Sequence, residues 1–412
     1  MAFKVLDGGG VATPAGFQAA GVVAGLKRSG APDLALLHST VPATVAGAFT
    51  SNAFAAAPVV YDRDVLAKGG SVRAVVVNSG NANACTGAQG EADTRRMAEQ
   101  VARQLGAEPD EVLVSSTGRI GVPMPMDIIL AGIDKASAAL LVGPKASTQA
   151  AEAIMTTDTC PKYLAVELVV GGKTVRIGGM TKGAGMIAPA MKLQPPQATM
   201  LAYITTDAAV SRAALDQCLA ESLDLSFNRI TVDGDTSTND TFLALANGLA
   251  GNDVLEQDSP DFAAFCEAFT FVVARLAKEM VLDGEGVTRF VELSVTGAKD
   301  DAEARTCAEA IANSALCKTA WFGADPNWGR VLCAAGYSGV AVNTDRVSLD
   351  YEGVPIVRGG MNAGTPEAEQ VKAISKREFR IDLDLGVADG AFTIWTCDLT
   401  YEYVKINADY HT

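Results

Sequence analysis

Only two of the 412 residues are histidine, His38 and His411. A Ser-His-Asp triad would have to draw its base from His38, inside the strand-like "LALLHST", or from His411, at the tail of the chain, and neither setting suits that role. A histidine-rich metal site is excluded for the same reason. The eight cysteines (Cys85, Cys160, Cys218, Cys266, Cys307, Cys317, Cys333 and Cys397) form no CxxC pair. Settings such as "AAFCEAF" and "RVLCAAG" read as buried free thiols of a reducing compartment. No apolar run approaches the ~18 residues needed to span a bilayer. The opening "MAFKVLDGGGVATPAGF" lacks a basic region followed by an apolar one, so no secretory signal and a cytoplasmic location are expected. Positive charge is also short: 33 Lys and Arg against 48 Asp and Glu leave a net charge of -15. A phosphate backbone or anionic membrane would be repelled, which sets aside nucleic acid and membranes and leaves small-molecule or protein partners.

The hydrophobic fraction of 49% is enough for a sizeable core, and the length calls for two domains or one large layered unit. Strand-like runs "DLALLHS", "AGAFTS", "RAVVVNSG" and "EVLVSSTG" alternate with helical spacing over 90–106 and 142–156. Gly106 stands where the first of these helices wants a C-terminal cap. "YLAVELVV-GGK-TVRIGG" reads as a hairpin turning at Gly171 and Gly172. After it come the strand "MLAYITTDA", a helix over 211–227, a long helix from "TFLALANG", another over 259–284, the strand "FVELSVTGA", a helix over 301–323 and further strands. There is no strict βαβ order, so layered α/β with mixed sheets is expected.

Several short motifs fail on inspection. Gly183-Ala-Gly185-Met-Ile-Ala188 matches a loose dinucleotide fingerprint, but Pro189 falls in the first turns of the helix that would carry the phosphate, and Pro195 and Pro196 follow. "GGKT" at 171–174 has Glu167 where a phosphate loop needs its first glycine. "DGDTSTND" at 233–240 has three aspartates but places Ala244 where a calcium loop needs its glutamate, so it reads as a polar turn or a site-lining loop. "SSTGRIG" at 115–121 puts Thr117 beside Gly118 at a strand end, which is either a plain turn or an oxyanion hole built from a hydroxyl and a glycine amide.

The remaining oddity is "GGMTKGAGMIAPAMKLQPPQATMLAYITTDA", a proline-interrupted loop that feeds an apolar strand through Thr199. A chain without a usable histidine needs another base for nucleophilic work. An N-terminal threonine carries one in its own α-amino group, whose ordinary pKa is about 7.7–8.0. Scission between Ala198 and Thr199 would create that amine.

"KGAGMIAP…ATMLAYITTDA" resembles the signature of the ornithine acetyltransferase family, the self-cleaving glutamate N-acetyltransferases of arginine biosynthesis. The blocks "GFQAAGVVAGLKRSGAPDLALL", "VVVNSGNANACTG", "SSTGRIG", "IMTTDTCPK", "SFNRITVDGDTSTND", "DGEGVTRF", "GADPNWGR" and "INADYHT" resemble family blocks in family order. The resemblance implies an α/β/β/α sandwich with a second, smaller α/β domain. It implies an α chain of residues 1–198 and a β chain of residues 199–412 that fold together, with Thr199 as nucleophile. Thr117 and Gly118 would form the oxyanion hole. Thr156, Lys182, Glu285, Asn407, Thr412 and Thr199 itself would contact substrate, and Glu285 would assist proton transfer. The implied reaction moves acetyl from N-acetylornithine to glutamate with no metal or organic cofactor, acetyl-CoA being a second donor for some family members and a heterotetramer of α and β chains the expected assembly. A self-processing aminopeptidase or amidohydrolase on the same scaffold is the alternative. The segment Lys192–Gln197 is longer than the family's usual link to the Ala198–Thr199 pair.

Overall fold

The computed structural model describes residues 3–188, 191 and 200–409. The chain divides into two compact units: one holds the chain up to Asn228 together with Asp235–Met280, the other Arg229–Gly234 and the chain from Val281 onward.

The first unit contains strands β1 (Phe3–Leu6), β2 (Phe17–Val22), β3 (Leu34–Phe49), β4 (Val72–Asn81), β5 (Val112–Arg119), β6 (Lys162–Val170), β7 (Lys173–Lys182), β8 (Leu201–Thr206) and β9 (Thr241–Ala246). Its helices are α1 (Ala57–Ala67), α2 (Gly87–Leu105), α3 (Met126–Ala138), α4 (Pro144–Ile154), α5 (Arg212–Asp224) and α6 (Phe262–Leu282). The strands run in the order β1-β6-β7-β8-β9-β3-β4-β5, with β2 on β3. β3 is the connector, and the two expected strands over 33–39 and 46–51 are this one element. Its first half pairs with β2 and β4 and its second half with β9, across a register shift between His38 and Ala43. Pro42 lies at that shift, where its missing N–H is tolerated.

The sheet therefore folds back on itself. Val75, Val77 and Leu113 from one half share a core with Met180, Leu201, Tyr203, Leu243 and Leu245 from the other. Period-two alternation sends Ala74, Val76, Val112 and Val114 to the opposite face, against Met97 and Val101 of α2 and Ile129 and Ile133 of α3. The far face carries α6: a Cβ at Gly179 of β7 would come within 2.8 Å of Leu276 and 3.0 Å of Val272. This is the expected α/β/β/α layering. Gly106 caps α2 in the left-handed region, and Gly171 and Gly172 turn the β6–β7 hairpin at φ of 56° and 75°.

The second unit is the expected smaller α/β domain. It comprises β10 (Phe290–Ala298), α7 (Asp301–Ala312), α8 (Ala315–Phe322), α9 (Trp328–Tyr337), β11 (Ser348–Tyr351), β12 (Val354–Arg358), β13 (Met361–Asn362), α10 (Glu367–Ile374), β14 (Glu378–Asp384), β15 (Gly390–Cys397) and α11 (Tyr401–Asp409). Its sheet runs β13-β12-β11-β14-β10-β15.

Three expectations are corrected. "TFLALA" is strand β9, not a helix: it lies between β8 and β3 with all six residues buried, and a strand covered on both faces has a continuous apolar run that periodicity cannot separate from a buried helix. The helix expected over 301–323 breaks at Asn313–Ser314, where the Ser314 side chain accepts the Cys317 amide and starts α8 afresh. The thiols of Cys85, Cys160 and Cys333 are exposed, and the other five are buried. Among the described residues no helix is long and apolar enough to cross a membrane.

Candidate active site

The second half of β5 carries Ser115-Ser116-Thr117-Gly118 before its last residue Arg119, and its parallel pairing sets Gly118 opposite Gly80 of β4. Gly118 has φ of +127°, and a Cβ there would fall 2.4 Å from the Gly80 carbonyl carbon and 2.7 Å from the Asn81 nitrogen. Glycine alone fits. Buried amides lock this strand end. Asn78 donates to Asn81 O (2.8 Å) and accepts from Ser116 Oγ (2.6 Å), and Asn239 donates to Ala82 O (2.6 Å) and Ser116 O (2.8 Å).

β7 ends in Lys182, which is buried. Its ammonium donates to Thr156 Oγ1 at 2.7 Å and to Thr117 Oγ1 at 3.3 Å. An ammonium has no acceptor, so both threonine oxygens accept and both hydroxyl protons point elsewhere. Thr117 is thereby set up as a donor, as an oxyanion hole requires.

Beneath this cluster Asp158 is saturated. One oxygen accepts from Lys162 Nζ (2.8 Å) and the Gly183 amide (2.7 Å), and the other from the Thr156 amide (3.0 Å). Burial alone would raise its pKa, but Lys182 and Lys162 outweigh burial and hold the carboxyl far below the ordinary range. Asp158 therefore fixes both ends of the Thr156–Lys182 contact.

Asp240 behaves in the opposite way. It stands at the head of β9 beside Met200, since β8 and β9 pair in parallel with Leu201 opposite Thr241, and the Thr241 amide donates to Met200 O at 2.9 Å. Both carboxyl oxygens are buried, without a well-formed hydrogen bond from any described residue. Burial pushes this carboxyl well above the usual range, against the pull of the Met200 amide and Lys182. Thr117, Lys182, Met200, Leu201, Asn239 and Asp240 together line one tightly filled recess.

A second cation lies close by. The carboxylate of Asp33 accepts the amides of Ala24, Gly25, Leu26 and Lys27 at 2.6 to 3.1 Å, which fixes the loop that carries Lys27. Burial lowers the Lys27 pKa to about 8; Asp33 opposes the shift and the Lys182 charge adds to it.

Of the residues expected from sequence, Thr117, Gly118, Thr156 and Lys182 come together in the first unit. Glu285 and Asn407 come together in the second, where Asn407 Nδ2 donates to Glu285 Oε2 at 2.7 Å. Ala198, Thr199 and Thr412 lie outside the described residues, as does the Lys192–Gln197 link. Gly183 to Ala188 start no helix, and the Gly183 amide serves Asp158 rather than a phosphate. The Asp-rich stretch is a site-lining loop, through Asn239 and Asp240. Sequence reasoning gave no role to Asp158, Asp240, Asn239 or Lys27. The aspartates sit in the quoted blocks "IMTTDTCPK" and "DGDTSTND", but residue type alone carried no sign of their charge state.

Fold and site together define a layered α/β protein whose centre, among the described residues, is built from hydroxyls around a buried lysine. The chain belongs to the ArgJ family, whose model matches residues 18–412. It is 50% identical over 406 residues to the arginine biosynthesis bifunctional protein ArgJ of Symbiobacterium thermophilum, covering 98% of this chain and 99% of that one. Against the protein of the same name from Geobacter sulfurreducens the identity is 50% over 398 residues, covering 96% and 99%. Among solved structures, ornithine acetyltransferase from Mycobacterium tuberculosis complexed with ornithine aligns at 46% identity with a TM-score of 0.44, covering 46% of this chain and 100% of that one.

Proposed function

We propose that this ArgJ-family chain is cut between Ala198 and Thr199 and then transfers acetyl from N-acetylornithine to glutamate through an acetyl-threonine at residue 199. The activity follows from family membership: ornithine acetyltransferase and glutamate N-acetyltransferase of arginine biosynthesis. In the proposed mechanism the α-amine of Thr199 takes the hydroxyl proton as Oγ attacks the acetyl carbonyl, and Thr117 and Gly118 donate to the oxyanion. Ornithine leaves with the proton, and glutamate then attacks the ester and takes the acetyl group. Lys182 holds a substrate carboxylate, and Thr156 orients the lysine. In a chain of net charge -15, recognition of an anionic acceptor rests on local cations. Glu285, Asn407 and Thr412 keep their sequence-based assignment as substrate contacts, with Glu285 also assisting proton transfer. Acetyl-CoA as a second donor, a heterotetramer of the two cleavage products and a cytoplasmic location belong to the same reading.

The observation that carries this reading is the Lys182 ammonium shared between Thr117 Oγ1 and Thr156 Oγ1, since it leaves the Thr117 proton to donate beside a glycine that nothing larger can replace. Intact-mass measurement is the test. Two polypeptides, residues 1–198 and 199–412, are expected from the native sequence and one full-length species from Thr199→Ala. Acetylglutamate rather than free acetate should accumulate from N-acetylornithine plus glutamate; free acetate alone would favour the aminopeptidase or amidohydrolase alternative.

A further inference from the structure

We propose that Lys27 is a specificity-determining residue of the acetyl transfer, the cation that takes the side-chain carboxylate of glutamate while Lys182 takes the carboxylate that both substrates share. The inference rests on the reading that this chain moves acetyl from N-acetylornithine to glutamate. The two substrates set the chemical problem. Each carries an α-carboxylate, but glutamate ends in a second carboxylate where N-acetylornithine ends in an ammonium. One lysine can recognise what they share, and telling them apart needs another charged group.

Ser79 of β4 is the joint that puts Lys27 beside the described cluster. Its amide donates to Asp33 O at 2.9 Å, and the Asp33 carboxylate gathers the amides of Ala24, Gly25, Leu26 and Lys27. Its hydroxyl donates to Ala153 O at 2.6 Å, near the end of α4 and just before Thr156 in the chain. The next residue of β4, Gly80, pairs with Gly118 and has the Lys27 stem against it: a Cβ on Gly80 would lie 3.7 Å from Lys27 Cγ and 3.5 Å from Leu26 Cβ. Lys27 therefore stands at the strand end that carries Thr117 and Gly118, and on the side from which the Thr156 segment arrives.

The loop holds this charge still. The amides on Asp33 fix its backbone, and Lys27 Nζ donates to Pro32 O at 2.6 Å, a bond that uses one of the three ammonium protons. A cation fixed in this way loses little freedom when it takes a ligand. Lys27 is half-buried, and its ammonium lies in the field of Lys182 and Asp158. Asp158 is already engaged by Lys162 and by the amides of Thr156 and Gly183. Two ammonium groups that repel one another favour an anion between them, and a dicarboxylate can meet both. The terminal ammonium of N-acetylornithine gains nothing from Lys27.

The test is steady-state kinetics of the purified enzyme with N-acetylornithine as donor. In a two-stage transfer, kcat/KM for each substrate reports its own half-reaction. Lys27→Met keeps a stem and removes the charge, and the Asp33 contacts that shape the loop all go to backbone. It should lower kcat/KM for glutamate by about 10- to 100-fold, the range of one lost hydrogen bond to a charged group, and that for N-acetylornithine by less than about threefold. Lys27→Arg should recover part of the glutamate loss. Glutamine, the neutral isostere, gives a second reading: the native enzyme should favour glutamate over it by a similar factor, and Lys27→Met by much less. Equal losses with both substrates, or no loss with glutamate, would overturn the proposal. A native enzyme that takes glutamine as readily as glutamate would overturn it even if Lys27→Met failed to fold. A native enzyme that transfers no acetyl to glutamate would instead sink the functional reading itself.

Discussion

Asp158 and Asp240 are both buried, both belong to the first unit and both feel the charge of Lys182, yet their pKa values are shifted in opposite directions. The difference lies in their partners. Asp158 has a second lysine at 2.8 Å and two backbone amides, and these outweigh the cost of taking its charge out of water. Asp240 has only the weaker pull of the Met200 amide and Lys182, and its oxygens lack a well-formed hydrogen bond from any described residue, so burial wins. One carboxylate is an anion that anchors the lysine and threonine of the site, and the other is one whose charged form burial disfavours.

The largest effect should come from breaking the anchored member. Asp158→Asn leaves Lys162 and Lys182 without their shared counter-charge in a dry environment, and thermal or denaturant unfolding should show a loss of about 3–5 kcal/mol. The sign of the pH dependence follows. The folded-state pKa of Asp158 lies below its unfolded value, so its stabilising contribution is complete above about pH 4 and disappears as pH falls through the folded value. The acid limb of the native stability curve should therefore flatten in the variant.

Gly118→Ala probes the donor side of the same cluster. It forces a Cβ against Gly80 and Asn81 at a φ where L-residues are strained, and displaces the backbone next to Thr117. The strain should cost about 1–3 kcal/mol in an unfolding measurement, and kcat for acetyl transfer should fall by about 10²–10³ through loss of oxyanion donation. A variant with native kcat would mean that Thr117 and Gly118 form a turn and nothing more.

The smallest effect, of opposite sign, is expected at Asp240. Asp240 has a folded pKa above its unfolded value, so its contribution is greatest below about pH 4 and declines as pH rises toward the folded value. Asp240→Asn removes that decline. The variant should gain about 0.5–2 kcal/mol over the native chain at pH 7–8, with the gap closing toward pH 4. Melting curves across that range would show whether the two aspartates differ as described; a loss at neutral pH matching that of Asp158→Asn would erase the contrast.

Much of the frame is legible in the amino-acid order. The hairpin at Gly171–Gly172, the Gly106 cap of α2 and the strand carrying Thr117 follow from turn chemistry and local spacing, which depend on neighbours in sequence. The family blocks point to Thr117, Gly118, Thr156 and Lys182, and all four meet at one site. What fails to read depends on distant partners. "TFLALA" is buried at every position and apolar after Thr241 because strands cover it on either side and layers above and below, a condition the hexamer shares with any buried helix turn.

The sequence by itself determined that imidazole is scarce in this protein, pointed to threonines and a lysine for its acyl chemistry, and showed which family that pattern belongs to. Only the tertiary structure decided which of two similar aspartates has its pKa lowered and which has it raised. A side chain's pKa depends on the charges, amides and water within a few ångströms of it, and those neighbours come from strands and loops far apart along the chain.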